Sequence, residues 1–171
     1  IYGDPSIKYK IRDLFGKAKK HIRCMIGERY LPFLENIRIK DISLLLIVIS
    51  DTPGLERKLQ AQFPGKGAEI HVIPAEKFAV PPPFAPPEFE EIHKLMRVEN
   101  TLELIVDDEE LLMVPPFFSS TVSVLNTRNK GAVLHMKLFS QFNWKRLIDG
   151  EEFPFPPPPQ KKRGYDPEKR R

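Results

Sequence analysis

The sequence predicts an α/β fold, a mixed sheet flanked by helices on both faces. Three observations carry that prediction. Up to Ile73, amphipathic helical stretches alternate with short apolar strands, the order that builds parallel pairs joined by helical crossovers. Residues 42–50 are apolar on both faces, as a central strand covered by helices on each side would be. After Arg97, three strand-like segments follow one another with only short turns between them, which adds antiparallel strands.

The elements follow in order. Ser6 is an N-cap candidate for a first helix, in which Ile7, Ile11, Leu14, Phe15 and Ala18 recur at helical spacing. Residues 21–27 alternate: Ile22, Cys24 and Ile26 point one way, His21, Arg23 and Met25 the other. A short helix is expected around 30–37, with Pro32 in its first turn. Asp51 or Thr52 is placed to cap a third helix that starts near Pro53 and buries Leu55, Leu59 and Phe63. Pro64-Gly65-Lys66-Gly67 stops it, and 69–73 is the next strand.

The segment 74–87 is proline-rich and has no periodicity, so it reads as a loop or linker. Residues 88–95 form a short helix with Phe89, Ile92 and Leu95 on its apolar side. Strands are expected at 101–106, 110–114 and 121–126, the first two joined by a turn at Asp107-Asp108-Glu109. A last helix spans about 130–148, with Leu134, Leu138, Phe142 and Trp144 as its apolar side. Two regions result: one domain at 1–149 and a proline-rich basic tail at 150–171, expected to be disordered.

Charge separates the same two regions. The net charge of +4 lies entirely in the last eleven residues, and 1–160 is balanced at 21 charges of each sign. Nucleic-acid binding is therefore a candidate property of the tail, through Lys161, Lys162, Arg163, Lys169, Arg170 and Arg171, and not of the domain. No apolar run approaches the roughly 20 residues that span a bilayer. Cys24 is the only cysteine, so no intrachain disulfide forms, and it reads as a core residue of a cytoplasmic protein. His21, His71, His93 and His135 fall on separate elements without metal-ligand spacing, and no cofactor motif is present.

Several landmarks occur in a set order. The chain opens with Gly3, Ile7, Ile11, Leu14, Ala18-Lys19 and Ile22. A later strand ends in Val106-Asp107-Asp108, and the close has Asn126 followed by a helix with Phe139 and Trp144. This set resembles the effector domain of the TrmB family of archaeal transcriptional regulators, across roughly residues 1–149. The resemblance implies a phospholipase D-like fold, a homodimer, a small-molecule effector, and DNA binding through an N-terminal winged helix expected to lie upstream of Ile1. No membrane association is implied.

Phospholipase D-like catalysis uses His-x-Lys-x4-Asp, in which histidine attacks phosphorus and lysine stabilises the phosphoryl oxygens. Placing the aspartate on Asp107 puts Asn100 at the histidine position and Leu102 at the lysine position. Neither residue supplies the chemistry, so the chain is expected not to be an enzyme. Asp107 then reads as a turn former. His135-Met136-Lys137 spells His-x-Lys, but Phe142 stands where the aspartate belongs. What remains is a pocket of polar residues at the strand ends: Glu28, Arg29, Asp51, Asn100, Ser119 and Ser120. The alternatives are a phosphodiesterase or nuclease of the same superfamily and a nucleic-acid module acting through its tail.

Overall fold

A computed structural model describes residues 3–78, 88–117 and 123–150. Helix α1 (Asp4–Lys17) leads into strand β1 (His21–Gly27), a 3₁₀ helix (Glu28–Leu34) and strand β2 (Ser43–Ile49). Helix α2 (Leu55–Gln62), strand β3 (Ala68–Ile73) and the short helices α3 (Ala75–Phe78) and α4 (Glu88–Leu95) follow. A 3₁₀ turn (Val98–Asn100) precedes strands β4 (Leu102–Val106), β5 (Glu110–Val114) and β6 (Leu125–Thr127), and helix α5 (Lys130–Asp149) closes the domain.

The six strands form one mixed sheet in the order β3-β2-β1-β4-β5-β6. Strands β1, β2 and β3 are mutually parallel, and β4 joins β1 antiparallel, as β5 joins β4 and β6 joins β5. Residue parity divides the core in two. Ile22, Cys24, Ile26, Leu46, Leu104 and Leu112 face α1, α2 and the first 3₁₀ helix, where Ile11, Leu14, Tyr30 and Leu59 cover them. Met25, Ile47, Ile49 and Ile73 face the other way, under Trp144 and Leu147 of α5. The α/β class, the mixed sheet and the helices on both faces are as the sequence predicts. Cys24 lies fully buried in the first core.

The turn between β4 and β5 fastens both layers to the sheet. Asp107 and Asp108 both have positive φ, 54° and 58°, and Glu109 N–H donates to Val106 O at 2.9 Å. This is the two-residue hairpin turn whose twist matches the strands, and aspartate tolerates the left-handed conformation it needs. The Asp107 carboxylate accepts from the backbone N–H groups of Lys19, Lys20 and His21 at 2.8, 2.8 and 2.9 Å. Those three groups form the junction of α1 and β1. Asp108 turns to the other side, accepting from Lys137 of α5 and lying 3.0 Å from His21 Nε2. Burial pushes both carboxyls up, but these donors outweigh it and hold both below the ordinary range.

Local details differ from the sequence expectations. Helix α1 starts at Asp4 and is capped by Gly3, with φ 82°, because Pro5 presets the first turn; Ser6 lies inside it. Residues 28–34 wind as a 3₁₀ helix around Pro32 in place of an α-helix over 30–37. Helix α2 begins only at Leu55, after a left-handed Gly54. Asp51 and Thr52 do not cap it, since both side chains are bonded elsewhere. The third strand of the C-terminal group is confined to Leu125–Thr127, and residues 121–122 lie outside the described part. Helix α5 is rotated from the expected face: it buries Val133, Ser140, Trp144 and Leu147, and leaves Leu134 and Leu138 exposed. Two polar contacts set that rotation, Ser140 donating to Glu103 and Lys137 to Asp108. Ile92 and Leu95 of α4 are exposed as well.

Two stability experiments follow from this architecture. A Cβ on Gly27 would stand 2.4 Å from Val98 O and 2.5 Å from Glu99 O, so Gly27→Ala should cost about 1–3 kcal/mol in urea unfolding. Asp107→Ala should cost about 1–3 kcal/mol at neutral pH, since it strands three N–H groups and puts Cβ on a left-handed residue without a compensating bond. The Asp107 pKa is depressed in the fold, so its contribution is present above the unfolded carboxylate range and lost as pH falls through the folded value. The gap between wild type and Asp107→Ala should therefore close on acidification below about pH 4.

Candidate functional site

Glu28, Arg29, Asp51 and Asn100 all lie at one end of the sheet. The parallel strands β1 and β2 end there, and the antiparallel strand β4 begins there. The register of β1 on β4 pairs Ile26 with Leu102, and Gly27 N–H donates to Thr101 O at 2.8 Å. Arg29 and Asn100 are thereby brought together: Arg29 Nη1 donates to Asn100 Oδ1 at 3.2 Å. The other terminal nitrogen of Arg29 reaches Asp4, at 3.0 Å from Oδ1 and 3.2 Å from Oδ2, at the start of α1. The guanidinium also lies over the Tyr30 ring, 5.7 Å from its centroid.

Arg29, Tyr30 and Asn100 line a cleft of about 190 Å³ together with Val114, Pro115, Phe117 and Ser123. Tyr30 is fully buried, and its hydroxyl has no hydrogen-bond partner among the described residues. Burial raises the phenol pKa; Arg29 pulls it down, and Asp4 pushes it up. The cleft is thus lined by a guanidinium, a tyrosine and an amide beside an apolar wall, a set suited to a small polar ligand.

The other predicted residues fall elsewhere. Glu28 is occupied: Ser50 Oγ and Thr52 Oγ1 both donate to its Oε1, at 2.5 and 3.2 Å, and Thr52 N–H donates to Ser50 Oγ at 3.0 Å. Asp51 accepts from Ala75 N–H at 3.2 Å and so caps α3. Ser119 and Ser120 lie outside the described residues, between Phe117 and Ser123 of the cleft wall. The six basic tail residues from Lys161 to Arg171 also lie outside the described part. Sequence reading missed Tyr30, whose buried hydroxyl has no local signature, and Asp4, which precedes the cap expected at Ser6.

The residues that align with the phospholipase D-like motif are dispersed. Leu102 is 0% exposed and belongs to the main core. Asp107 lies seven residues beyond Asn100, at the opposite end of an extended strand, about 20 Å away at 3.3 Å per residue. Its carboxylate is held by three backbone N–H groups. His135 is exposed on α5, and Lys137 is bound to Asp108. No group of three metal-ligating side chains occurs among the described residues. None of their helices is long and apolar enough to cross a membrane.

The most displaced carboxyl near neutral pH lies away from the cleft. Glu103 is buried between the sheet and α5, where burial raises its pKa to about 7 even though Ser140 donates to it. Glu110 is the opposite case: Lys10, Asn126 and Arg128 all donate to it, which outweighs the cost of burial and brings its pKa to about 2. Both groups join elements of the fold, Glu103 at α5 and Glu110 between α1 and β6.

No protein-family model matches the chain, and no curated protein matches it. Among solved structures it is similar to NucT from Helicobacter pylori, at 11% identity over 87% of this chain and 93% of that one, with a TM-score of 0.46. A likeness of that degree carries no functional conclusion. The TrmB resemblance therefore rests on the ordered sequence landmarks alone.

Glu103 gives a pH dependence of definite sign. Its folded pKa is above the unfolded value, so the folded state holds a proton that the unfolded state releases, and stability falls as pH rises from about 4.5 to about 7. In urea titrations across this range, Glu103→Gln should remove that slope, leaving Ser140 with an uncharged partner.

Proposed function

We propose that this chain is the effector-sensing and dimerisation domain of a TrmB-like transcriptional regulator, built on a phospholipase D-like sheet that has lost its reaction. The regulator reading rests on the ordered landmarks from Gly3 to Trp144. The loss of reaction rests on one observation: the positions that would hold nucleophile, lysine and aspartate carry an asparagine bonded to Arg29, a fully buried leucine and a carboxylate consumed by backbone N–H groups. A phosphoryl group would find neither a nucleophile nor a positive charge along this strand.

In this reading a small polar effector enters the cleft at Arg29, Tyr30 and Asn100. The guanidinium already carries Asp4 and Asn100 as partners, so its charge is largely compensated. That favours a neutral, hydroxyl-rich or amide-bearing ligand over a strongly anionic one. The cleft is bounded by the first 3₁₀ helix, the 3₁₀ turn before β4 and the end of β5, so an occupant that binds one arrangement of these elements better biases the domain toward it. A cytoplasmic homodimer would pass that bias to DNA-binding segments at its N-terminal side. The competing readings are a phosphodiesterase or nuclease of the superfamily and a nucleic-acid module working through the tail.

The purified chain, incubated with bis(p-nitrophenyl) phosphate with and without divalent cations, should release no nitrophenolate above the buffer rate. Turnover that disappears in Asn100→Ala would sink this proposal and establish the phosphodiesterase.

A further inference from the structure

The balance of charge over residues 1–160 hides an uneven distribution. Strands β1, β2 and β3 all begin at the end of the sheet opposite the Arg29 cleft, where β4 turns into β5 and β6 leads into α5. Five segments meet at that end. Four carry exposed bases: Lys19 and Lys20 before β1, Lys40 before β2, Lys66 before β3 and Arg128 after β6. The fifth is the acidic turn between β4 and β5, and the carboxylates in and beside it are largely occupied. Three backbone N–H groups hold Asp107, Lys137 holds Asp108, and Lys10 and Arg128 hold Glu110. Lys19, Lys20, Lys40 and Lys66 form no ion pair among the described residues.

Two clefts open between these segments. One, of about 470 Å³, has Lys40 and Lys66 in its lining, and the other, of about 500 Å³, has Lys19, Lys20 and Arg128. They adjoin at the start of β2: Ser43 lines the first and Lys20 the second, and Ser43 N–H donates to Lys20 O at 3.0 Å. Gly67 shapes the first cleft by keeping its two loops close, since a Cβ there would stand 3.1 Å from Ile42 O. Of the acids lining the two clefts, only Asp41 and Glu109 are unpaired among the described residues.

We infer that this end of the sheet is a docking surface for the phosphodiester backbone of duplex DNA, bound without regard to sequence. From β3 to β6 there are five strand spacings, or about 24 Å at about 4.8 Å each. One strand of a duplex presents a phosphate about every 3.4 Å of its axis, so the row of bases faces several phosphates at once. Lysine suits phosphate as a point charge and carries no base-reading geometry here. No aromatic ring lines either cleft, so the unstacked bases of a single strand find no platform. A single small phosphate ester meets one or two of these charges and gains little, whereas a polymer engages all four lysines together. The surface and the Arg29 cleft lie at opposite ends of the sheet, so both can be filled at once.

The test uses the full 171-residue chain with Lys161, Lys162, Arg163, Lys169, Arg170 and Arg171 replaced by glutamine, which removes the tail's charge. Fluorescence anisotropy follows a labelled short duplex of random sequence. Four lysine contacts give a slope of log affinity on log salt of about −3.6, so affinity should fall roughly 100-fold between about 50 and about 200 mM salt. Adding Lys19→Gln, Lys20→Gln, Lys40→Gln and Lys66→Gln, all exposed, should abolish binding and flatten the slope. Lys77→Gln, beyond the opposite end of β3, should change neither. Absence of duplex binding by the tail-neutral chain at low salt overturns the proposal, as does binding that the fourfold variant retains. Tighter binding to a single strand than to the duplex also overturns it.

Discussion

The fold hangs on the pairing of β1 with β4, and the Asp107-Asp108 turn is what fixes it. A parallel half, β1 to β3, and an antiparallel half, β4 to β6, meet along that one ladder. Strand side chains alternate, so a slip of one residue would turn Leu104 and Val106 out of the main core and bring Glu103 into it. Asp107 prevents the slip by holding three consecutive N–H groups at the entry to β1, and Asp108 adds a contact to α5. The two aspartates thus bind both helical layers to one turn. At the far end of the same ladder, the register delivers Asn100 to Arg29.

That arrangement changes the meaning of the aspartate. In an active strand it would serve a phosphoryl centre. Here it is a structural clamp, and Leu102, which aligns with the motif's lysine, is a residue of the main core. The opposite end of the sheet is polar and carries a cleft lined by Arg29 after β1, Tyr30 in the first 3₁₀ helix and Asn100 before β4, with Asp4 at the head of α1 bonded to Arg29.

Much of this was legible in the sequence, and what was hidden has physical causes. Strands β2, β4 and β5 were readable as short, strongly apolar runs, and β1 by the alternation of Ile22, Cys24 and Ile26 with His21, Arg23 and Met25. The hairpin was readable because two aspartates between two such runs leave few other conformations. The face of α5 was not, since Ser140 and Lys137 face inward: a buried serine is decided by Glu103 on another strand, and no periodicity within the helix records that. Asp51 read as a cap and is one, but for α3 rather than α2, because Gly54 supplies the turn into α2. Of the predicted pocket, Arg29 and Asn100 meet, whereas Glu28 is absorbed by Ser50 and Thr52. Which polar loop residues meet depends on strand register, and register is a long-range property.

The central claim is that the living part of this domain is a binding cleft at Arg29, Tyr30 and Asn100. The most direct measurement is an NMR titration of the isotopically labelled chain with a panel of small neutral polyols, amides and phosphate esters, following the Arg29 guanidinium and Asn100 side-chain amide signals. The account predicts that at least one neutral polar compound shifts both signals together, saturably, and that Arg29→Ala abolishes the response at the remaining amide. Saturable shifts that bypass Arg29 and Asn100 and centre on Asp107 and the α1–β1 junction would contradict it.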